Sequence, residues 1–184
     1  MSGQRAIALP ISTPVDGRSE RLAALFDAHD ERLYRLARRL APGADEARDL
    51  VQETFLRAAQ SWRAVPLGAA REESWLVRVL INIRRDQWRK TAVRRRSDAM
   101  LRVTLTADSS NLESALMAKR AIWGALDVLP PRRRAIVVMH ELDGMSLSRV
   151  ASFLGLREIT VRWHLSMARR DLKRLLTSHT GEIG

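Results

Sequence analysis

Apolar residues recur every three or four positions along most of this sequence, and that spacing constrains the fold more than any other feature. Between Glu20 and Leu40 the stripe comprises Leu22, Leu25, Phe26, His29, Leu33, Leu36 and Leu40. This period places its members on one side of a helix, with charged residues on the opposite side. No segment shows the strict alternation of a half-buried strand. The sequence therefore predicts an all-α protein.

Two more helices are predicted in the first half of the chain. A Pro-Gly pair ends the first helix, and Asp45 is the expected N-cap of the second. The second helix is expected to bury Ala47, Leu50, Val51, Thr54, Phe55, Ala58 and Trp62. After a loop broken by Pro66 and Gly68, a third helix is predicted from about Glu72 to Lys90. Its apolar face holds Leu76, Val79, Leu80 and Ile83, and the three helices should form one bundle.

The second half of the chain divides into a linker and another helical block. Residues from about 91 to 111 are rich in arginine and show no sustained apolar stripe, so a linker is expected there. A helical block then begins near Leu112, with an apolar side formed by Leu112, Leu116, Ile122, Trp123, Leu126 and Leu129. Two small helical domains joined by a basic linker are therefore predicted: a flexible tail at 1–18, a three-helix domain at 19–90, the linker at 91–111 and a helix-turn-helix domain at 112–178.

The composition favours a polyanionic partner over a catalytic role. Thirty-two Lys and Arg against 21 Asp and Glu leave a net charge of +11. The chain has no Cys, its four His show no metal-ligand spacing, and no nucleophile–base pair or phosphate-binding glycine loop is visible. No enzyme activity, metal, cofactor or small-molecule substrate is therefore predicted. No apolar run approaches the roughly 20 residues that span a bilayer, so a cytoplasmic protein is expected.

Residues 131–176 carry the pattern of a helix-turn-helix. Pro131 is predicted to start a helix that reaches Leu142, and Ser146 to cap a short helix that ends before Gly155. Ala151 is small enough for a tight helix crossing, and Gly155 suits the turn. The small core is predicted to comprise Val150, Leu154, Leu156, Val161 and Leu165.

The last helix, predicted to reach Leu176, would then enter the major groove of DNA. The side chains expected to face base edges are Arg157, Glu158, Thr160, Arg162, Trp163 and Ser166, and Arg169 and Arg170 are expected to contact phosphates. The alternative is a short-turn helical hairpin that binds no ligand.

The third predicted helix combines aromatic and basic residues. These are Trp75, Trp88, Arg78, Asn82, Arg85 and Arg89. Aromatic rings and guanidinium planes stack on unpaired bases, so this combination indicates a site for single-stranded nucleic acid. The alternative is a purely structural bundle, in which the tryptophans are buried and the charges are merely solvated.

Both blocks together resemble the extracytoplasmic-function class of bacterial sigma factors. In the first block the resemblance lies in the run from Asp49 to Phe55, DLVQETF, and in the later stretch SWLVRVLINIRRDQWRK. In the second block it lies in ALDVLPPRRRAIVVMHELDGMSLSRVASFLGL and TVRWHLSMARRDLKRLL. The resemblance covers roughly residues 20 to 90 and 112 to 176, in the same order as in the family.

The resemblance implies a subunit that binds core RNA polymerase, selects promoters and initiates transcription. It implies that Asp49, Gln52 and Glu53 dock on the beta-prime clamp, with the beta flap as a further polymerase contact. It further implies that the minus-ten element is held by Trp75, Arg78, Asn82, Arg85 and Arg89, and that the last helix reads the minus-thirty-five element. An anti-sigma protein, often membrane-bound in this family, is implied as a partner.

Four positions in the second block depart from the family pattern. Members often carry an acidic residue at Arg149, a small one at Ile159 and a basic one at His164 and Met167. The base preference of the family therefore does not transfer to this chain. The rival interpretation is a stand-alone helix-turn-helix regulator whose first bundle senses a ligand or dimerises.

Overall fold

The structure, a computed structural model, describes residues 17–97 and 122–180, and across those two ranges it contains seven α-helices and no strand. The helices are α1 Gly17–Leu40, α2 Ala44–Gln60, α3 Ala69–Ser97, α4 at residues 122–128, α5 Pro131–Val137, α6 Leu147–Leu154 and α7 Glu158–Thr180. A 3₁₀ turn at Trp62–Ala64 follows α2, and a π-helical turn at Val138–Leu142 extends α5. The all-α prediction is confirmed, and none of the described helices is long and apolar enough to cross a membrane.

Helices α1, α2 and α3 form a bundle whose core comes from the predicted stripes. Leu33, Leu40, Leu50, Leu76 and Leu80 are fully buried. Phe26 is an exception, because it lies at the edge of the bundle with nearly half of its surface exposed. Its ring packs on Phe55, 4.8 Å between centroids, instead of entering the core.

Several predicted boundaries in the first block are wrong. Gly43, not Asp45, is the N-cap of α2, and Asp45 lies in the first turn, where its negative charge favours the helix dipole. Helix α1 already includes Gly17 and Arg18, which were assigned to the tail. Helix α3 spans Ala69–Ser97 and so extends beyond both predicted ends, about Glu72 and Lys90. Residues 1–16 and 98–121, including the rest of the predicted tail and linker and Leu112 and Leu116, lie outside the described residues.

The second block, residues 122–180, follows the predicted order of caps and turns. Pro131 begins α5, and the hydroxyl of Ser146 accepts a hydrogen bond from the backbone N–H of Arg149 at the start of α6. Gly155 has φ +65°, the left-handed region that a side chain would strain. Ile122 is half exposed rather than part of the predicted apolar side, and α7 extends beyond Leu176 to Thr180.

The two blocks pack directly against each other, and their buried side chains form one continuous cluster. Helix α3 lies against α5 and α6, while the end of α1 lies against α5. Arg39 at the end of α1 pairs with Asp143, and Nε of Arg134 in α5 donates to the backbone carbonyl of Arg39 at 2.6 Å. These contacts join segments about a hundred residues apart in sequence.

Candidate nucleic-acid interface

Helices α6 and α7 meet in a tight helix-turn-helix. The backbone N–H of Leu156 donates to the carbonyl of Ala151 at 2.9 Å, which closes the turn around the left-handed Gly155. Val150 and Val161 are fully buried between the helices. The predicted core of this unit is confirmed, with Leu156 only half-buried at its edge. The packing fixes which face of α7 points to solvent.

The predicted base-facing residues lie on that outer face, although not all of them are equally accessible. Arg157, Arg162, Trp163, Ser166, Arg169 and Arg170 are exposed, whereas Glu158 and Thr160 are half-buried. Both Nε and Nη2 of Arg162 bind Oε1 of Glu158, at 3.0 and 2.6 Å. Arg169 binds Glu141 in the same way, at 3.0 and 2.6 Å. The helix therefore presents a basic surface whose charges are partly paired.

One exposed residue of this face was not among the predicted contacts. Ile159 has 69% of its surface exposed, more than any other large hydrophobic side chain in the described parts of the chain. It precedes Trp163 by four residues and lies on the side opposite Val161. A helical projection of α7 is the signal that could have placed Ile159 on the outer face.

Trp163 is held in place by residues around it. The guanidinium of Arg133 stands 5.6 Å from the centre of the indole, and Nη1 of Arg133 is itself bound to Oδ2 of Asp171 at 2.8 Å. The ring of His164 meets the indole edge-on at 4.9 Å. Burial lowers the pKa of His164, and the charges of Arg132 and Arg133 lower it further.

The candidate strand-binding residues of α3 are spread between the core, the block interface and the surface. Trp75 packs partly buried against the core, and Arg89 is exposed. Arg78 lies against the turn of the helix-turn-helix, because a methyl group built on Gly155 would stand 3.4 Å from its Nη1. Asn82 and Arg85 are half-buried, and the buried Nε of Arg85 has no hydrogen-bond partner among the described residues.

On α2, the three candidate docking residues occupy an accessible surface. Asp49 and Gln52 are exposed, and the half-buried Glu53 accepts a hydrogen bond from Nε of Arg57 at 3.0 Å. Beside them, Leu56 exposes more than half of its surface, which the sequence did not single out. An acidic and amide cluster thus borders an exposed apolar side chain.

A cleft of about 370 Å³ lies between the two blocks. Its floor is apolar, with Leu33, Leu36, Val77, Met139, Met145 and Phe153, and its polar lining residues are Arg32, Arg35, Arg39, Glu73, Asp143 and Arg149. Within the described residues, no cluster of His, Asp or Glu has the composition of a metal site.

Two family models match the chain, one for each block. The model of sigma-70 region 2 matches residues 25–94, and the model of sigma-70 region 4 matches residues 119–172. The chain is 34% identical over 163 residues to the ECF RNA polymerase sigma factor SigE of Mycolicibacterium smegmatis, covering 86% of this chain and 62% of that relative. It is 32% identical over 160 residues to the ECF RNA polymerase sigma factor SigL of Mycobacterium tuberculosis, covering 83% of this chain and 86% of the relative.

Two solved structures share the fold. One is the sigma factor RpoE in complex with the anti-sigma factor NepR from Bartonella quintana, with a TM-score of 0.54 and 24% identity over 86% of this chain and 95% of that one. The other is CnrH in complex with the cytosolic domain of CnrY, with a TM-score of 0.56 and 24% identity over 88% of this chain and 91% of that one.

Proposed function

The chain belongs to the extracytoplasmic-function class of RNA polymerase sigma factors, a family of transcription initiation factors, and from this premise we propose that it binds core RNA polymerase, recognises two promoter elements and starts transcription. It catalyses no reaction itself and acts in the cytoplasm, where polymerase and chromosomal DNA meet. Its contribution is the free energy of binding, which selects the promoter and stabilises the melted strands.

The observation that carries this proposal is the open outer face of α7. The helix packs Val161 and Leu165 inward and presents Trp163 and Ser166 to solvent in its first turns, directly after the exposed Arg157. A helix-turn-helix places these turns against base edges in the major groove. Arg169 and Arg170, one turn further along, suit the phosphates that fix the register of the protein on the duplex.

The residues of α3 are proposed to hold the minus-ten element once the strands separate. Arg85, Arg89 and Asn82 supply donors for phosphates and bases, and Trp75 supplies an aromatic surface. In the closed arrangement, however, Arg78 contacts the turn at Gly155. The two blocks must therefore separate before Arg78 can reach a DNA strand, and polymerase binding would supply the free energy for this separation. The division into a three-helix domain and a helix-turn-helix domain belongs to the same proposal.

The acidic and amide cluster on α2 is proposed to dock on the beta-prime clamp. Glu53→Lys reverses a charge on this surface, so it should weaken binding to core polymerase while leaving the helix content unchanged. Glu31→Lys is the matched control, because Glu31 forms an equivalent pair with the arginine four residues later, Arg35. Fluorescence anisotropy of labelled protein with core polymerase measures both affinities, and equal values for the two variants would count against the docking assignment.

Run-off transcription with purified core polymerase tests the function as a whole. The protein should direct initiation from one class of template, and permanganate should detect unpaired thymines around the start site. Arg89→Ala is the sharper variant for melting, because Arg89 is exposed and its loss leaves the core intact. A protein that shifts duplex DNA alone and never directs core polymerase would be a stand-alone regulator instead.

An anti-sigma protein is proposed as a further partner, by analogy with the sigma factor RpoE of Bartonella quintana, which was solved with the anti-sigma factor NepR. The cleft between the blocks supports this proposal, since its apolar floor is lined by four arginines against two acidic residues. An acidic amphipathic helix would match both features. Bound there, it would hold the blocks together and keep Arg78 from DNA.

A further inference from the structure

An exposed apolar pair interrupts the basic outer face of α7. Ile159 and Trp163 expose 69% and 54% of their surfaces, and they are separated by four residues on the same helix face. Both lie in the first two turns, the part of a reading helix that faces base edges. Solitary exposed apolar residues are common, but two large ones on adjacent turns of one face form a candidate contact surface.

The indole of Trp163 makes contacts within the chain that restrict its position. Arg133 stacks on it and is tied in turn to Asp171, a residue of α7 two turns further along. A side chain held in this way loses little rotamer freedom when it binds. Trp163 is therefore preorganised for contact with a rigid surface.

The polar residue beside this pair is engaged elsewhere. Arg162 uses Nε and Nη2 to bind Glu158, so its bidentate contact with a guanine would require breaking that pair. Ile159 needs no such rearrangement. In the first turns of α7, a contact made by Ile159 therefore costs less free energy than a contact made by Arg162.

The one strongly apolar group in the major groove is the C5-methyl of thymine, which only A·T pairs carry. We propose that Ile159 and Trp163 form a methyl-reading pair that selects thymine in the upstream promoter element. This inference rests on the proposed function and deepens it by naming the base and the two residues that choose it. Duplex DNA is the occupant favoured by charge, because the pair lies between the exposed Arg157, which directly precedes α7, and the exposed Arg170 further along the same helix.

Uracil substitution tests the inference, because deoxyuridine differs from thymidine only by the missing methyl group. The full chain with core polymerase first enriches upstream elements from a duplex library randomised in that region. Each thymine of the enriched element is then replaced by deoxyuridine, and holoenzyme binding is measured by competition. One or two positions should lose about fourfold in affinity, the equivalent of one buried methyl group.

Two variants locate the effect on the protein. Ile159→Ala and Trp163→Ala should each bring the affinity ratio between thymine and uracil duplexes close to one at a sensitive position. Leu142→Ala is the control, because Leu142 is an exposed apolar residue of the same block that lies outside α7, and it should keep the wild-type ratio. Ile159 is so exposed that its truncation leaves the fold intact, which circular dichroism verifies.

The possible failures are distinguishable. A holoenzyme that enriches no upstream sequence would overturn the proposed function together with the inference. An enriched element that contains no thymine, or that binds equally with uracil at every position, would overturn the inference alone. In the latter case the apolar pair would be a docking patch for a protein.

Discussion

Arg134→Met should loosen the contact between the two blocks, because Arg134 is the buried arginine that joins them. The residue is 3% exposed, and its guanidinium donates to the backbone carbonyl of Arg39 and to the carboxylate of Asp127. The carbonyl lies at the C-terminal end of α1, where helix carbonyls lack partners within the helix. A cation is favoured there by the helix dipole as well.

The expected magnitude follows from these two bonds. A hydrogen bond to a charged group contributes about 1.5 to 3 kcal/mol, which estimates the loss at the Arg39 carbonyl. Asp127 is 43% exposed in its side chain, so water can replace the arginine there and the loss is at most about 1 kcal/mol. Methionine keeps most of the hydrocarbon volume, so the total should be about 2 to 4 kcal/mol, below the upper range for a broken buried pair.

Urea unfolding followed by circular dichroism measures this loss as a lower midpoint at unchanged slope. Block separation is measured independently by energy transfer between dyes on Gln60→Cys and Ser152→Cys, two exposed positions in different blocks. The chain has no native cysteine, so labelling is specific. Transfer should decrease in Arg134→Met.

Arg35→Met is the matched control. Arg35 is an exposed arginine whose ion pair with Glu31 lies within one helix, so its loss should cost no more than about 0.5 kcal/mol. If Arg134→Met and Arg35→Met had the same midpoint and the same energy transfer, Arg134 would not couple the blocks, and the reasoning would be refuted.

Three further changes have expected outcomes. Gly155→Ala should lower the free energy of unfolding by about 1 to 2 kcal/mol in urea titrations, because φ is +65° there; an unchanged midpoint would contradict the strain. Ser146→Ala should cost about 1 kcal/mol by removing the cap of α6, whereas Ser148→Ala, in the first turn of the same helix, should cost less in the same assay. The pKa of His164 is lower in the folded chain than in the unfolded chain, so the unfolded chain binds the proton first as the pH falls through 6.5. Acid therefore lowers the free energy of unfolding. At higher pH the ring is neutral in both states, and His164 does not change the stability. Wild-type protein should therefore lose more stability than His164→Gln between about pH 7.5 and about pH 5.5, and parallel losses would rule out this source.

In the helix-turn-helix, short-range sequence features were sufficient to predict the structure. Ser146, Gly155 and the buried valines Val150 and Val161 each act through neighbours within a few residues, by capping, by backbone conformation or by helical period. The structure confirms all four predictions. Helix boundaries are predicted less well, since both predicted ends of α3 leave out residues that are helical but carry no apolar stripe.

The helical class, the order of the two blocks, the turn at Gly155 and the family follow from the sequence, because each depends on residue types at fixed short spacings. Long-range packing instead sets the exposure of Phe26 and Ile122, the burial of Arg134 and the position of Arg78 against Gly155. Burial and ion pairing depend on which distant surfaces meet. A helical period gives the face on which a side chain lies, and the partner that covers this face comes from another part of the chain.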